Sequence, residues 1–142
     1  MTTAIELAKY IVNKCVEDNH PITNLQLQKI LYYIQREHLR KYNECAFIDP
    51  IEAWQFGPVV PLVYYEFCYY GAMPIENRYS NTKDIDFDHF DMVDKIVEEK
   101  RVMFPWDLVN ETHKPGGAWD KTYKNGSGNR SIIDIELIRK ER

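Results

Sequence analysis

Apolar residues recur at helical spacing along most of this chain. Ala4, Leu7, Ala8, Ile11, Val12 and Cys15 form an i, i+3, i+4 series, with Lys9, Asn13, Lys14 and Glu17 off the stripe. Residues 3–18 therefore read as an amphipathic helix, ended by Asn19-His20-Pro21. The next helix has a clear start. Thr23 fits an N-cap and Gln26 the partner position of a capping box, while Ile22 and Leu27 fit a hydrophobic staple. Its apolar stripe runs through Ile30, Leu31, Ile34 and His38, and the pattern stops near Tyr42-Asn43. Residues 46–48 and 51–56 are apolar runs separated by Asp49-Pro50. They predict a small hairpin, which is marginal alone and must pack on the helices.

The run 51–67 reads as the centre of the chain. Its β-like part meets Gly57-Pro58, then Pro61 fits the first turn of a helix, where a missing N–H costs nothing. Val60, Val63, Tyr64, Phe67 and Gly71 form one stripe of that helix. Leu62, Tyr65 and Tyr69 form another, roughly opposite, and Glu66 is its only charge. A helix apolar on nearly all sides is buried on nearly all sides. Either another part of the chain, such as the helix predicted at 88–100, covers the second stripe, or a partner does. Gly71 fits a helix cap with Pro74 beyond it. Met92, Val93, Ile96 and Val97 mark the inward face of the 88–100 helix. Pro105 starts a helix over 106–113, and Asp134 caps a last one over 135–140. Lys114-Pro-Gly-Gly and a second, mobile stretch from Asn125 to Asn129 read as loops.

The expected architecture is a single domain over residues 1–142, mainly α (α+β with a minor β-hairpin). It is a compact bundle of five to six helices around a central helix at about 59–70. Leu31, Ile34, Trp54, Val63 and Phe67 are the expected core. The length of 142 residues suffices for a real core without disulfides.

Composition sharpens this little: 44% apolar and 28% charged are ordinary globular values. The 13% aromatic content, with ten Tyr, suits interfaces as well as half-buried sites. A net charge of −4 shows no basic stripe and disfavours a nucleic-acid binder, which would need Lys29, Arg36, Arg40 and Lys41 on one face. Cys15, Cys45 and Cys68 are odd in number and form no CxxC pair, the pattern of buried thiols in a reducing compartment. No signal-peptide run or membrane-length apolar stretch is present, so a soluble cytoplasmic protein is expected.

Catalytic patterns are missing. Asp84, Asp86 and Asp88 alternate like the start of a calcium loop, but His89 and Lys95 occupy the positions that need Gly and Glu. Ser80, Ser127 and Ser131 lie outside any GxSxG, and there is no HExxH, zinc spacing or phosphate-binding glycine loop. Cys15 and Cys68 fall on apolar helices, where thiols are inert. No catalytic, cofactor-binding or metal-ligating residue is assigned, and the chain is expected not to be an enzyme; a Cys/His-dependent enzyme stays as the lesser alternative. His113, at a helix end before Pro-Gly-Gly, suits either a carbonyl-capping role or a binding surface.

Leu27-Gln28-Lys29-Ile30-Leu31-Tyr32-Tyr33, the run from Ile51 through Trp54 and Gly57-Pro58 to Pro61, Val63-Tyr64, Phe67, Thr112-His113 and Trp119 together resemble the Panacea domain. That family includes SocA-like antitoxins and phage-associated GepA proteins, and the resemblance covers about residues 5–138. It implies a compact helical domain without cofactor or enzymatic activity, which binds a toxin protein and neutralises it by direct contact. It also implies a toxin encoded nearby and, for SocA-like members, presentation of the bound toxin to a protease. The alternative is a nucleic-acid-associated regulator of a phage or toxin–antitoxin locus. The signature residues are Gln28, Lys29, Tyr32, Trp54, Gly57, Pro58, Tyr64, Thr112, His113 and Trp119, as scaffold or as contact surface. Gly117-Ala118-Trp119 stands where the family commonly has Gly-Pro-Trp. Many relatives carry DNA-binding segments, and none is expected here. The candidate partner surface is Tyr33, Arg36, Leu62, Tyr65 and Tyr69.

Overall fold

The computed structural model describes all 142 residues. Its elements are α1 (Ala4–Glu17), α2 (Asn24–Tyr42), β1 (Glu52–Trp54), β2 (Gly57–Val59), α3 (Pro61–Phe67), α4 (Phe90–Lys100), α5 (Pro105–Thr112), α6 (Ala118–Tyr123), β3 (Ser131–Ile132) and α7 (Ile135–Lys140). Short 3-10 turns, Cys68–Tyr70 and Lys124–Gly126, follow α3 and α6. The mainly helical class with minor β structure is as expected. Seven helices exceed the expected five to six because α6 is only six residues long, too short to display a full stripe.

The centre is α2, not the helix at 59–70. Thr23 and Gln26 form the expected capping box, Asn43 closes the helix in the left-handed conformation, and 13 of its 19 residues are buried. At 1.5 Å per residue α2 is about 28 Å long and spans the domain. It packs against α1, α3, α4, α5, α7 and β2. The seven residues of α3 are too few for such a role, and they pack on α1 and α2. Val60, Val63 and Phe67 face the core while Tyr64 is half-buried. Helix α4 packs on α1 and α2 and leaves the second stripe of α3 open. Leu62 is 61% exposed, Tyr65 54% and Tyr69 94%.

The sheet has order β2-β1-β3, all antiparallel, with Ala53 opposite Pro58 and Ser131 opposite Ala53. The hairpin is formed by β1 and β2 around Gln55-Phe56, not by residues 46–48. The backbone at 46–48 has other partners. The buried Gln35 side chain accepts from Ala46 N (2.6 Å) and donates to Phe47 O (3.1 Å), and Ile48 N donates to Thr2 O (3.1 Å). With those groups satisfied from α2 and the N-terminus, no strand partner is needed. Gly57-Pro58, expected as a stop between strand and helix, is itself strand. Pro58 sits on an edge strand, where a missing N–H is tolerated.

Leu31, Ile34, Val63 and Phe67 are buried as expected, but Trp54 is only half-buried. Cys15 is buried and Cys68 is exposed, which corrects the expectation for Cys68. The α-helix ends at Phe67, and the tighter turn that follows buries none of its three residues. In the native protein a thiol reagent should therefore modify Cys68 quickly and Cys15 only on unfolding; equal slow labelling of both would contradict the placement of Cys68. Phe67→Ala empties a position that is 1% exposed, and urea unfolding should show a loss of about 3–5 kcal/mol.

Candidate functional site

One face of α2 holds the corner where β2 becomes α3. Asn24 and Gln28 are one helical turn apart, so their side chains meet: Gln28 Nε2 donates to Asn24 Oδ1 at 2.9 Å. Asn24 Nδ2 then donates to Tyr64 O at 3.0 Å, and Gln28 Oε1 accepts from Val60 N at 2.9 Å. Val60 is the N-cap of α3 and has no side-chain cap of its own, so Gln28 satisfies a backbone donor from a different helix. Beside them Lys29 Nζ donates to Pro58 O at 3.1 Å. Ala53 O, on the strand opposite Pro58, accepts from Arg130 N.

Gly57 lets this approach happen. Its φ is +114°, and an added Cβ would stand 2.8 Å from Thr112 Oγ1 and 3.0 Å from Lys29 Cε. Both the backbone conformation and the space exclude a larger residue. Thr112 is fully buried and donates to Val109 O at 2.8 Å. His113 does not cap carbonyls with its ring. The imidazole stacks on Trp119 at 3.7 Å with planes 2° apart, and Trp119 stacks in turn on Tyr123. Trp119 Nε1 donates to Trp54 O at 2.8 Å, which ties α6 to β1. Burial, with the Lys29 charge second, holds the His113 pKa below the usual value, and its Nε2 has no hydrogen-bond partner. Tyr32 is fully buried with an unpartnered hydroxyl, and burial pushes its ionisation well up. Lys29 is 0% exposed, and burial pushes its pKa down to about 7.

Above this polar seam lies a groove of about 520 Å³. Gln28 and Lys29 form part of its floor, and Trp54, Phe56, Tyr64, Trp106 and Arg130 are among its walls. The rings are arranged edge to face: Trp54 against Tyr64 at 5.1 Å and Phe56 against Trp106 at 5.2 Å. The Arg130 guanidinium lies 4.2 Å from the Trp54 ring centroid. Arg130, Phe56 and Trp106 were not singled out in the sequence. They come from three separate segments, and only the fold brings them together.

The expected partner surface splits. Leu62, Tyr65 and Tyr69 are exposed on or just after α3. Tyr33 is only 3% exposed, with Arg36 (4.8 Å) and Lys100 (4.3 Å) against its ring. Arg36 pairs with Glu141 at 3.1 Å. These two residues line a different recess, shared with α4, because residues 33 and 36 face away from the 24–28 side of α2. Lys29 is buried and Arg36 is paired, so the Lys29, Arg36, Arg40 and Lys41 set does not form a basic face. No group of three or more His, Cys, Asp or Glu is placed to hold a metal ion. No thiol hydrogen-bonds an imidazole: Cys68 Sγ donates to Tyr65 O, and Cys15 Sγ accepts from Arg101. No helix is long and apolar enough to cross a membrane.

Residues 27–120 match the family of SocA-like antitoxins with the Panacea domain. The chain is also similar to Antitoxin SocA of Caulobacter vibrioides (strain NA1000 / CB15N), 30% identical over an alignment that covers 94% of this chain and 77% of the relative. No solved structure matches. The chain belongs to the SocA-like antitoxin, Panacea domain family. The seam from Gln28 and Lys29 through Gly57 and Thr112 to Trp119 lies within the matched residues.

Lys29 gives stability a distinctive pH dependence. Its amine titrates at 10.5 when free and at about 7 in the fold. Between those values the unfolded chain holds the proton and the folded chain does not, so this group's contribution rises with pH across that window and is least favourable below it. Lys29→Met keeps an unbranched side chain one atom shorter, removes the charge and loses the bond to Pro58. Its melting temperature relative to wild type should be highest at about pH 6 and should decline towards about pH 10, following the linkage. A difference that stays flat over this range would show that Lys29 does not carry a depressed pKa.

Proposed function

We propose that this protein is an antitoxin that binds a partner toxin protein, encoded nearby, and neutralises it by direct contact. The open face of α3 and the adjoining hairpin corner form the contact surface. The observation that carries this reading is the exposure of Leu62, Tyr65 and Tyr69, with Trp54 and Arg130 beside them. Trp, Tyr and Arg are the residues enriched at binding hot spots, and rigid rings offer contact area at low entropic cost. Membership of an antitoxin family supports the same reading. The buried signature residues then act as scaffold, holding the corner, while exposed residues around it choose the partner. No catalytic step enters this account. Delivery of the bound toxin to a protease is a separate outcome, read from the toxin's level on co-expression: a neutralised toxin that persists in a stable complex favours contact alone.

The test uses Tyr65→Ala and Tyr69→Ala with the toxin from the neighbouring gene. Neither side chain is in the core, so melting temperatures should stay near wild type. Each change should weaken binding by about 2 kcal/mol or more, roughly thirtyfold, and reduce rescue of toxin-expressing cells. A clear fall in melting temperature with unchanged affinity would overturn the assignment of this face.

A further inference from the structure

The groove beside the α3 face has an uneven charge. Arg130 stands at its rim with φ 67°, a left-handed conformation uncommon outside glycine, and its N–H donates to Ala53 O at 2.6 Å. The β1 backbone thus anchors the residue, and its guanidinium lies over Trp54 with Nη1 3.4 Å from the Tyr65 hydroxyl. No carboxylate pairs with it. On the floor, Lys29 Nζ has one acceptor, Pro58 O. The lining therefore holds a guanidinium free of any carboxylate and no Asp or Glu, in a chain of net charge −4. The nearby Glu52 carboxylate is turned to the Trp54 indole N–H at 2.9 Å and is not part of the lining.

We propose that this groove receives a segment of the toxin in which one carboxylate side chain is flanked by apolar residues. Arg130 takes the carboxylate, and the Trp54, Tyr64, Phe56 and Trp106 rings hold its neighbours. The inference rests on the toxin-binding reading above and adds the chemistry of the bound segment. A guanidinium held over an indole and bonded to the Tyr65 hydroxyl is already partly ordered, so less freedom is lost when a carboxylate arrives. Cations among aromatic rings also suit single-stranded nucleic acid. The chain's net negative charge opposes a polyanion and weighs much less against one carboxylate set among apolar residues.

The experiment measures affinity of the purified toxin for wild type, Arg130→Gln and Arg130→Glu, with melting temperatures as a folding control. Arg130→Gln should weaken binding by about tenfold or more and flatten its dependence on salt, and Arg130→Glu should weaken it further. Selection for toxin variants that again bind Arg130→Glu should return an acidic residue changed to Lys or Arg. Unchanged affinity in both Arg130 variants would overturn the proposal. So would compensating changes confined to non-acidic toxin positions, or tight Arg130-dependent binding of a single-stranded thymidine oligomer. If the Tyr65 and Tyr69 variants lose affinity and the Arg130 variants do not, the toxin-binding reading stands and this inference alone fails. If the wild-type protein does not bind the toxin, both fail.

Discussion

Asn24, Gln28 and Lys29 reach from one side of α2 to the backbone of the β2–α3 corner, and the exposed surface depends on that attachment. Strand β2 is an edge strand of three residues, and α3 is a helix of seven. Neither is stable alone. Helix α2 supplies the missing partners for Val60 N, Tyr64 O and Pro58 O, so the corner is held as part of the core. Those three contacts, together with the packing of α3 on α1, hold α3 against the core with Tyr65 and Tyr69 exposed.

This arrangement retains a costly group. A lysine with one hydrogen bond and no counter-ion, fully inside a helical domain, opposes folding at neutral pH. A methionine would fill similar space. The lysine sits where Gly57, Thr112 and His113 close round it, directly under a groove without acidic residues. The His113–Trp119 stack and the Trp119 bond to Trp54 O brace the other side of the same hairpin. Strand β1 is thereby fixed from two directions, and Trp54, half-buried between them, offers one ring face to Arg130.

The chain by itself determined the long-range frame. Capping at Thr23 and Asp134, proline at the start of α3 and α5, and clean apolar stripes in α1, α2 and α4 are local signals that act through neighbouring residues. Such signals are legible because a helix closes its own hydrogen bonds and shows its inner face every three or four residues. The Panacea signature was equally legible, and it marks the residues that build the corner. What tertiary structure decided was which groups meet between elements. Residues 46–48 look like a strand, yet Gln35 takes their backbone bonds from another helix. Tyr33 and Tyr65 look like parts of one surface, yet α2 turns the first into a recess with α4 while α3 turns the second to solvent. Arg130 carries no signal at all in its glycine-rich surroundings. Its place over Trp54 arises only when β3 pairs with β1, a contact between residues nearly 80 positions apart, which no local pattern can specify.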